Sequence, residues 1–200
     1  MSETAAAIPS IVLEGSLVRL EPLELAHLDS LCEIGLVPEL WRWIPTAMRN
    51  KRDMRAYIET ALAWRREGHA APFAIVHKPS GKPIGSTRYG NIVPEHKRLE
   101  IGWTWIAPAY QRTGVNTEMK YLLLKHAFET LGYHRVELKT DALNEKSRAA
   151  ILRIGAKEEG ILRGHVVCHD GRVRDTVYFS ILRPEWPGVK RRLESALSRR

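Results

Sequence analysis

Between Ile106 and Val115 the chain runs Ile-Ala-Pro-Ala-Tyr-Gln-Arg-Thr-Gly-Val, a turn-forming stretch with one cation. Directly after it the apolar residues take helical spacing at Val115, Met119, Leu122 and Leu123. A helix opening behind such a loop leaves its first backbone N–H groups without intrahelical partners, and an anion is their natural occupant. The backbone of Gln111, Arg112, Thr113, Gly114, Val115, Asn116 and Thr117 is therefore a candidate phosphate cradle. Upstream, Leu99 to Ile106 alternates large strand-forming residues and ends where Pro108 withholds a ladder donor. Glu100 stands on that strand, where it is expected to share a face with Gly102, Thr104 and Ile106. A carboxylate so placed can take a proton from a reacting group, or can simply pair with Lys97 or Arg98 at the strand edge.

Gln111-x-x-Gly114-x-Asn116, after a strand and before a helix, resembles the pyrophosphate loop of the GNAT acyltransferases, Gln/Arg-x-x-Gly-x-Gly/Ala, and departs from it at Asn116. Downstream, a strand at Val136 to Thr140 leads into Asn144-Glu-Lys-Ser147, which opens a helix closing at Gly155 and is similar to the family's coenzyme-contacting Asn-x-x-Ser motif. The resemblance covers roughly Ser16 to Pro184, and the surrounding text is closest to the RimJ/RimL-type branch. It implies an α+β GNAT fold, with a central mixed, mostly antiparallel sheet flanked by helices and splayed at the central strand. It also implies direct transfer of an acetyl group from acetyl-CoA, as co-substrate, to an amine in a ternary complex.

The same resemblance distributes roles. Ile106 and Ala107 fall where the family meets the pantetheine arm, with the Ile106 N–H polarising the thioester carbonyl. Glu100 falls near the general base of the histone-acetylating branch. The tyrosine that the family often carries seven residues after the motif's Asn is replaced by Ile151, so Ser147 becomes the expected proton donor, with Asn144 orienting coenzyme or substrate. A serine early in a helix also caps or meets backbone. His165 is a second candidate base near the acceptor end. Trp41 and Trp43, in a stretch bounded by Pro38 and Pro45, are candidates for a substrate wall, and equally for a plug between the first helices and the sheet.

Two hundred residues with 44% apolar content suit one domain with a core of its own. The formal charge of +8, from 31 basic and 23 acidic residues, suits an acidic ligand such as a coenzyme bearing three phosphate groups, and would suit RNA as well. Two isolated cysteines and eight histidines without ligand spacing give no reason to expect a metal. The first ten residues carry no basic region and no long apolar run, so a cytoplasmic location is expected. The expected partners are an amine-bearing small molecule or a protein N-terminus, with no nucleic acid, no membrane, and a monomeric or homodimeric state. Two rival classes are a non-catalytic acyl-CoA or nucleotide-binding module, and an RNA- or ribosome-associated factor using the basic surface.

To position these groups the chain needs a loose lead over 1–15, a single domain over 16–186 and a basic helical tail over 187–200. Ser16 to Glu21 reads as a strand, Leu23 to Leu36 and Lys51 to Gly68 as helices. Pro72 to His77 and Ile84 to Val93 form an antiparallel pair around a turn at Pro79 to Lys82. Strands near Lys157 to Arg163 and at Arg174 to Leu182 flank a turn at Asp170-Gly171. In the tail, Val189, Leu193, Ala196 and Leu197 recur at the spacing of a helix docked on its own domain.

Overall fold

Alternating and β-branched runs form one continuous sheet in the computed structural model, which describes residues 8–199. The strands are β1 (Leu13–Glu14), β2 (Val18–Pro22), β3 (Ala71–His77), β4 (Lys82–Val93), β5 (Arg98–Ile106), β6 (Arg135–Asp141), β7 (Lys157–Val167) and β8 (Val173–Leu182). Their spatial order is β1-β2-β3-β4-β5-β6-β8-β7, and β5 with β6 is the parallel pair among otherwise antiparallel neighbours. The helices are α1 (Leu28–Gly35), α2 (Pro38–Trp41), α3 (Lys51–Arg66), α4 (Val115–Lys125), α5 (Glu145–Arg153) and α6 (Trp186–Ser198). None of the described helices is long and apolar enough to cross a membrane.

Two apolar clusters lie on opposite faces of the sheet. Leu99, Ile101, Val136 and Leu138 face Met119 and Leu123 of α4, Ile151 of α5 and Leu193 of α6. Leu31 of α1, Trp41 of α2 and Met54 and Ile58 of α3 cover the other face beside Ala74 and Trp105. Each helix thus buries its stripe on one side.

Two expectations shift here and one holds. Residues 1–7 lie outside the described part, but the rest of the supposed loose lead is anchored: Ile8 is buried and β1 pairs with β2. Its anchor is Glu118, whose carboxylate accepts the backbone N–H groups of Ser16, Leu17 and Val18 at 2.9, 2.7 and 2.8 Å. A side chain at Gly15 would collide with that carboxylate. The tail is the docked helix that its spacing suggested: α6 buries Trp186, Val189 and Leu193 in the core, and Trp186 Nε1 donates to Glu129. Finally, Pro38 to Trp41 is a short helix that delivers Trp41 inward, to 3% exposure, where its indole N–H donates to Gly35 O. Trp41 is therefore a plug between α1, α3 and the sheet, while Trp43 stays half-buried.

Candidate active site

Beyond Glu100 the parallel pair comes apart. Arg98, Leu99 and Glu100 pair with Arg135, Val136 and Glu137, and past that point β5 and β6 share no register, so the two strands open into a wedge with Glu100 at its vertex. Two bulges flank this carboxylate. On β5, three steps from Gly102 to Trp105 face two on β4 from Arg88 to Ser86, and Trp103 takes φ 49°. On β4, three steps from Gly90 to Val93 face two on β5, and Asn91 takes φ 45°. Asn enters that left-handed region with little strain, whereas a tryptophan there is an outlier of the kind that clusters at functional sites.

Each bulge has a consequence. The one at Asn91 turns its side-chain amide onto Glu100, Nδ2 donating to Oε2 at 2.6 Å. The one at Trp103 breaks the alternation expected from the sequence. Glu100 and Gly102 face the α1–α3 side, but the extra residue sends Thr104 and Ile106 to the α4 side and Trp103 and Trp105 to the other. The shared face of Glu100, Thr104 and Ile106 is thereby corrected. The inserted residue flips it.

Glu100 is 6% exposed, and its cationic partner is Lys139 of β6, with Nζ 2.9 Å from Oε2. The expected edge partner Arg98 instead faces Glu137 at 3.7 Å. Both contacts of Glu100 fall on Oε2, leaving Oε1 beside Gly102, where an added Cβ would come to 2.7 Å of that oxygen. The absent side chain at Gly102 keeps one carboxylate oxygen open. Burial pulls the Lys139 ammonium down, but the charge and hydrogen bond of Glu100 outweigh it and hold the group above the usual lysine value. Lys139 also lies over the ring of Tyr178, 4.5 Å from its centroid.

The floor of an open groove of about 670 Å³ includes Lys139 and Tyr178, with Asn91 and His69 along its walls. His165 sits exposed on β7 with its ring 5.8 Å from that of Tyr178, so Tyr178 and Lys139 stand between it and Glu100. On the α3 side of β4, Arg88 is 2% exposed, with its guanidinium 4.8, 5.6 and 5.1 Å from the ring centroids of Tyr57, Trp64 and Trp103. Trp43 packs between Arg42 and Arg172, and Arg172 pairs with buried Asp141 at 2.7 Å. Trp43, Trp64 and Trp103 are partly exposed, whereas Trp41 lies in the core.

On the opposite side of the wedge, the loop before α4 is locally braced. Gln111 donates its side-chain N–H to Ile106 O at 3.0 Å, Arg112 turns through φ 61°, and Thr113 Oγ1 accepts from Val115 N at 3.3 Å. The backbone N–H groups of Gly114, Asn116 and Thr117 find no protein acceptor among the described residues. They point out of the first turn of α4, the arrangement that receives an anion. Ala107 N–H donates to Ile84 O on β4, so strand alternation turns the Ile106 N–H away from β4 and into the wedge. Asn144 caps α5, its side chain accepting from Ser147 N at 3.1 Å, which leaves the Ser147 hydroxyl without a protein partner among the described residues. Ile151 is buried in the core at the position where a tyrosine acid was sought.

One group at the wedge escaped the sequence reading. Lys120 of α4 is 7% exposed, and its Nζ makes a single hydrogen bond, 3.3 Å to Thr104 Oγ1, which in turn lies 2.7 Å from Thr87 Oγ1. Burial lowers this amine from 10.5 to about 7, against the pull of Glu100. Its signal was present in the pattern: a lysine between Met119 and Leu123 on the stripe that faces the core, where lysine is seldom found.

Residues 18–157 match the family described as "Acetyltransferase (GNAT) domain". Over 175 residues the chain is 33% identical to the Bacillus subtilis (strain 168) protein named "Putative ribosomal N-acetyltransferase YdaF", spanning 86% of this chain and 92% of that one. The crystal structure of a GCN5-related N-acetyltransferase from Brucella melitensis superposes with a TM-score of 0.87 at 31% identity, covering 95% of this chain and 86% of the other. Mycobacterium smegmatis RimJ, solved in complex with CoA-disulfide, superposes with a TM-score of 0.79 at 26% identity, covering 92% and 91%.

Proposed function

The chain belongs to the GNAT acetyltransferase family and is an acetyl-CoA-dependent N-acetyltransferase, and from that premise we propose that it acetylates the α-amine of a protein N-terminus with Glu100 as the general base. What carries this reading is Oε1 of Glu100, the oxygen of a buried carboxylate at the vertex of the wedge that lies beside Gly102 and has no hydrogen-bond partner among the described residues. An amine entering by the open groove reaches that oxygen, and the transfer proceeds directly, with no covalent enzyme intermediate. An α-amine has a pKa of about 8 against about 10.4 for lysine, so it gives up its proton more readily to a base working near neutral pH.

The coenzyme's diphosphate rests on the N–H groups of Gly114, Asn116 and Thr117, with the Arg112 side chain at the loop's outer edge. The Ile106 N–H, turned into the wedge, serves the thioester carbonyl, and the unpartnered Ser147 hydroxyl serves the same end of the ligand from α5. Trp43, Trp64 and Trp103, with Arg88 behind the latter two, flank the acceptor. The name of the Bacillus subtilis relative, a ribosomal N-acetyltransferase, agrees with a protein acceptor. A cytoplasmic location, where acetyl-CoA and nascent N-termini meet, belongs to the same reading.

A panel of N-terminal peptides, lysine-only peptides with blocked N-termini, polyamines and small amines, supplied with acetyl-CoA and read by released thiol, tests it. Turnover is expected on free N-termini first. Turnover confined to polyamines or small-molecule amines would overturn the protein-acceptor assignment.

A further inference from the structure

The wedge has two sides, and the base stands on one of them. Glu100 and Gly102 face the α1–α3 side, where the Glu100 partners Asn91 and Lys139 line the groove, whereas the Trp103 bulge turns Thr104 to the α4 side, where Lys120 Nζ meets it. The phosphate-binding N–H groups belong to the helix that carries Lys120, so a ligand anchored there enters the wedge from the Lys120 side. Past Glu100 the pairing of β5 with β6 ends, so the two groups stand on opposite sides of one opening in the sheet.

We propose that Lys120 is the proton donor to the departing sulfur, working across the open sheet from Glu100. In the transfer, the amine nitrogen bonds to the acetyl carbon and gives one proton to Glu100 Oε1. The C–S bond breaks with its electron pair on sulfur, and sulfur takes one proton from Lys120 Nζ. Solvent then returns the Glu100 proton to Lys120. Atoms and charge balance, and the enzyme is restored. Lys120 thereby takes the proton-donor role expected of Ser147 in place of the tyrosine that Ile151 replaces, and the Ser147 hydroxyl is left to orient the ligand.

The surroundings of Lys120 fit that duty. Its ammonium has one long hydrogen bond and, among the described residues, no carboxylate within ion-pair distance, so nothing holds the proton in place. Glu100 is the one charged group whose field bears on it. The neighbouring charges of its own helix and of α6 are engaged elsewhere: Glu118 on Ser16 to Val18, and Glu194 on Tyr121. An amine near 7 hands its proton to an alkyl thiolate at least as basic as that of cysteine, about 8.5, with an advantage of roughly 30-fold or more, whereas an ordinary lysine near 10.4 has no such advantage.

The inference takes from the preceding section the side on which the amine stands, and a leaving-group series separates the two. Rates with acetyl-CoA and with acetyl thioesters of increasingly acidic aryl thiols are to be compared for wild type, Lys120→Met, Lys120→Arg and Glu100→Gln. Loss of the acid is expected to slow acetyl-CoA turnover by about 10²-fold, a deficit that shrinks toward unity as the leaving thiol becomes more acidic. Lys120→Arg, which keeps the charge but holds its proton too tightly to give, should behave like Lys120→Met. Glu100→Gln should slow every thioester alike. A readout independent of turnover is the ultraviolet absorbance of thiolate in the CoA-bound enzyme. Between about pH 7 and 8 the wild-type complex should hold a minor thiolate fraction, paired with the Lys120 ammonium, that the Lys120→Met complex lacks. A deficit equal across all thioesters, together with identical thiolate titrations, would make Lys120 a packing residue and overturn the proposal.

Discussion

Lys139 reaches Glu100 from β6 at 2.9 Å, and Lys120 approaches from α4 on the other side of the wedge without touching it. Both lysines are mostly buried and both feel the same carboxylate, yet Lys139 is held above the usual lysine value and Lys120 falls to about 7. Burial acts downward on each of them. What differs is contact. A direct ion pair with a hydrogen bond recovers more than desolvation removes, whereas a field felt at a distance recovers only part of it. The same residue type thus becomes a fixed strut on one arm of the sheet and an exchangeable proton on the other.

The harshest test of the comparison removes the ligand and leaves both lysines in place. Gly114 is buried at the N-terminus of α4, and Gly114→Glu sets a bulky anion where the phosphate would lie. Calorimetry should show coenzyme binding abolished in a folded protein. The contrast between the lysines should survive, because it is set by Glu100 and by burial.

Glu100→Gln removes the charge that both groups feel. Its turnover should fall by roughly 10²- to 10⁴-fold, the range for losing a general base, with coenzyme affinity nearly unchanged. Ser147→Ala should cost less, about tenfold, again in kcat and not in binding. Coenzyme titrations beside steady-state rates check both, and an unchanged kcat in Glu100→Gln would return the carboxylate to a structural role.

Lys139→Met acts on the strut alone. It leaves the Glu100 carboxylate, 7% exposed at its side chain, with Asn91 as its remaining partner. Stranding one member of a buried pair is expected to destabilise the fold by about 3 kcal/mol, measurable as a lowered urea midpoint with an unchanged slope. A loss below about 1 kcal/mol would mean that solvent from the groove already screens the pair.

The order and kind of the longer elements, and the loop before α4, were legible because they rest on local signals: periodicity, Pro108 as a stop, and the change of spacing at Val115; the four-residue helix Pro38–Trp41 and the short strand Leu13–Glu14 were not. The helix expected over Lys51 to Gly68 runs Lys51–Arg66, and the strand expected over Leu99 to Ile106 runs Arg98–Ile106. What local signals could not supply was parity past a bulge. Nothing in Gly-Trp-Thr-Trp announces that Trp103 takes φ 49°, since the cause is tertiary: its ring lies across Gly90 and against Trp64 and Arg88. Lys139 as the partner of Glu100 was hidden for a related reason, since parallel register between β5 and β6 is set by a crossover through α4 and not by adjacent sequence. Lys120 alone was readable, as a cation on an apolar stripe.

The smallest effect separates the two lysines most cleanly, because it compares pH values and not absolute stabilities. Lys120 falls from 10.5 in the unfolded chain to about 7 in the folded one, so between those limits the unfolded state binds more protons. Stability therefore rises with pH across that window, and the penalty of burying the ammonium is complete below about pH 7. Lys139 has the opposite sign. Its value is raised on folding, so its contribution is fully present below about 10.4 and is lost only as pH climbs through the folded value above that. Lys120→Met should accordingly gain more over wild type at pH 6 than at pH 9, by roughly 2 kcal/mol, whatever its packing does, because packing cancels between the two pH values. Over the same interval the loss in Lys139→Met should stay constant. Urea titrations of the three proteins at both pH values give the answer, and a Lys120→Met difference that does not move with pH would remove the low-pKa amine from the wedge.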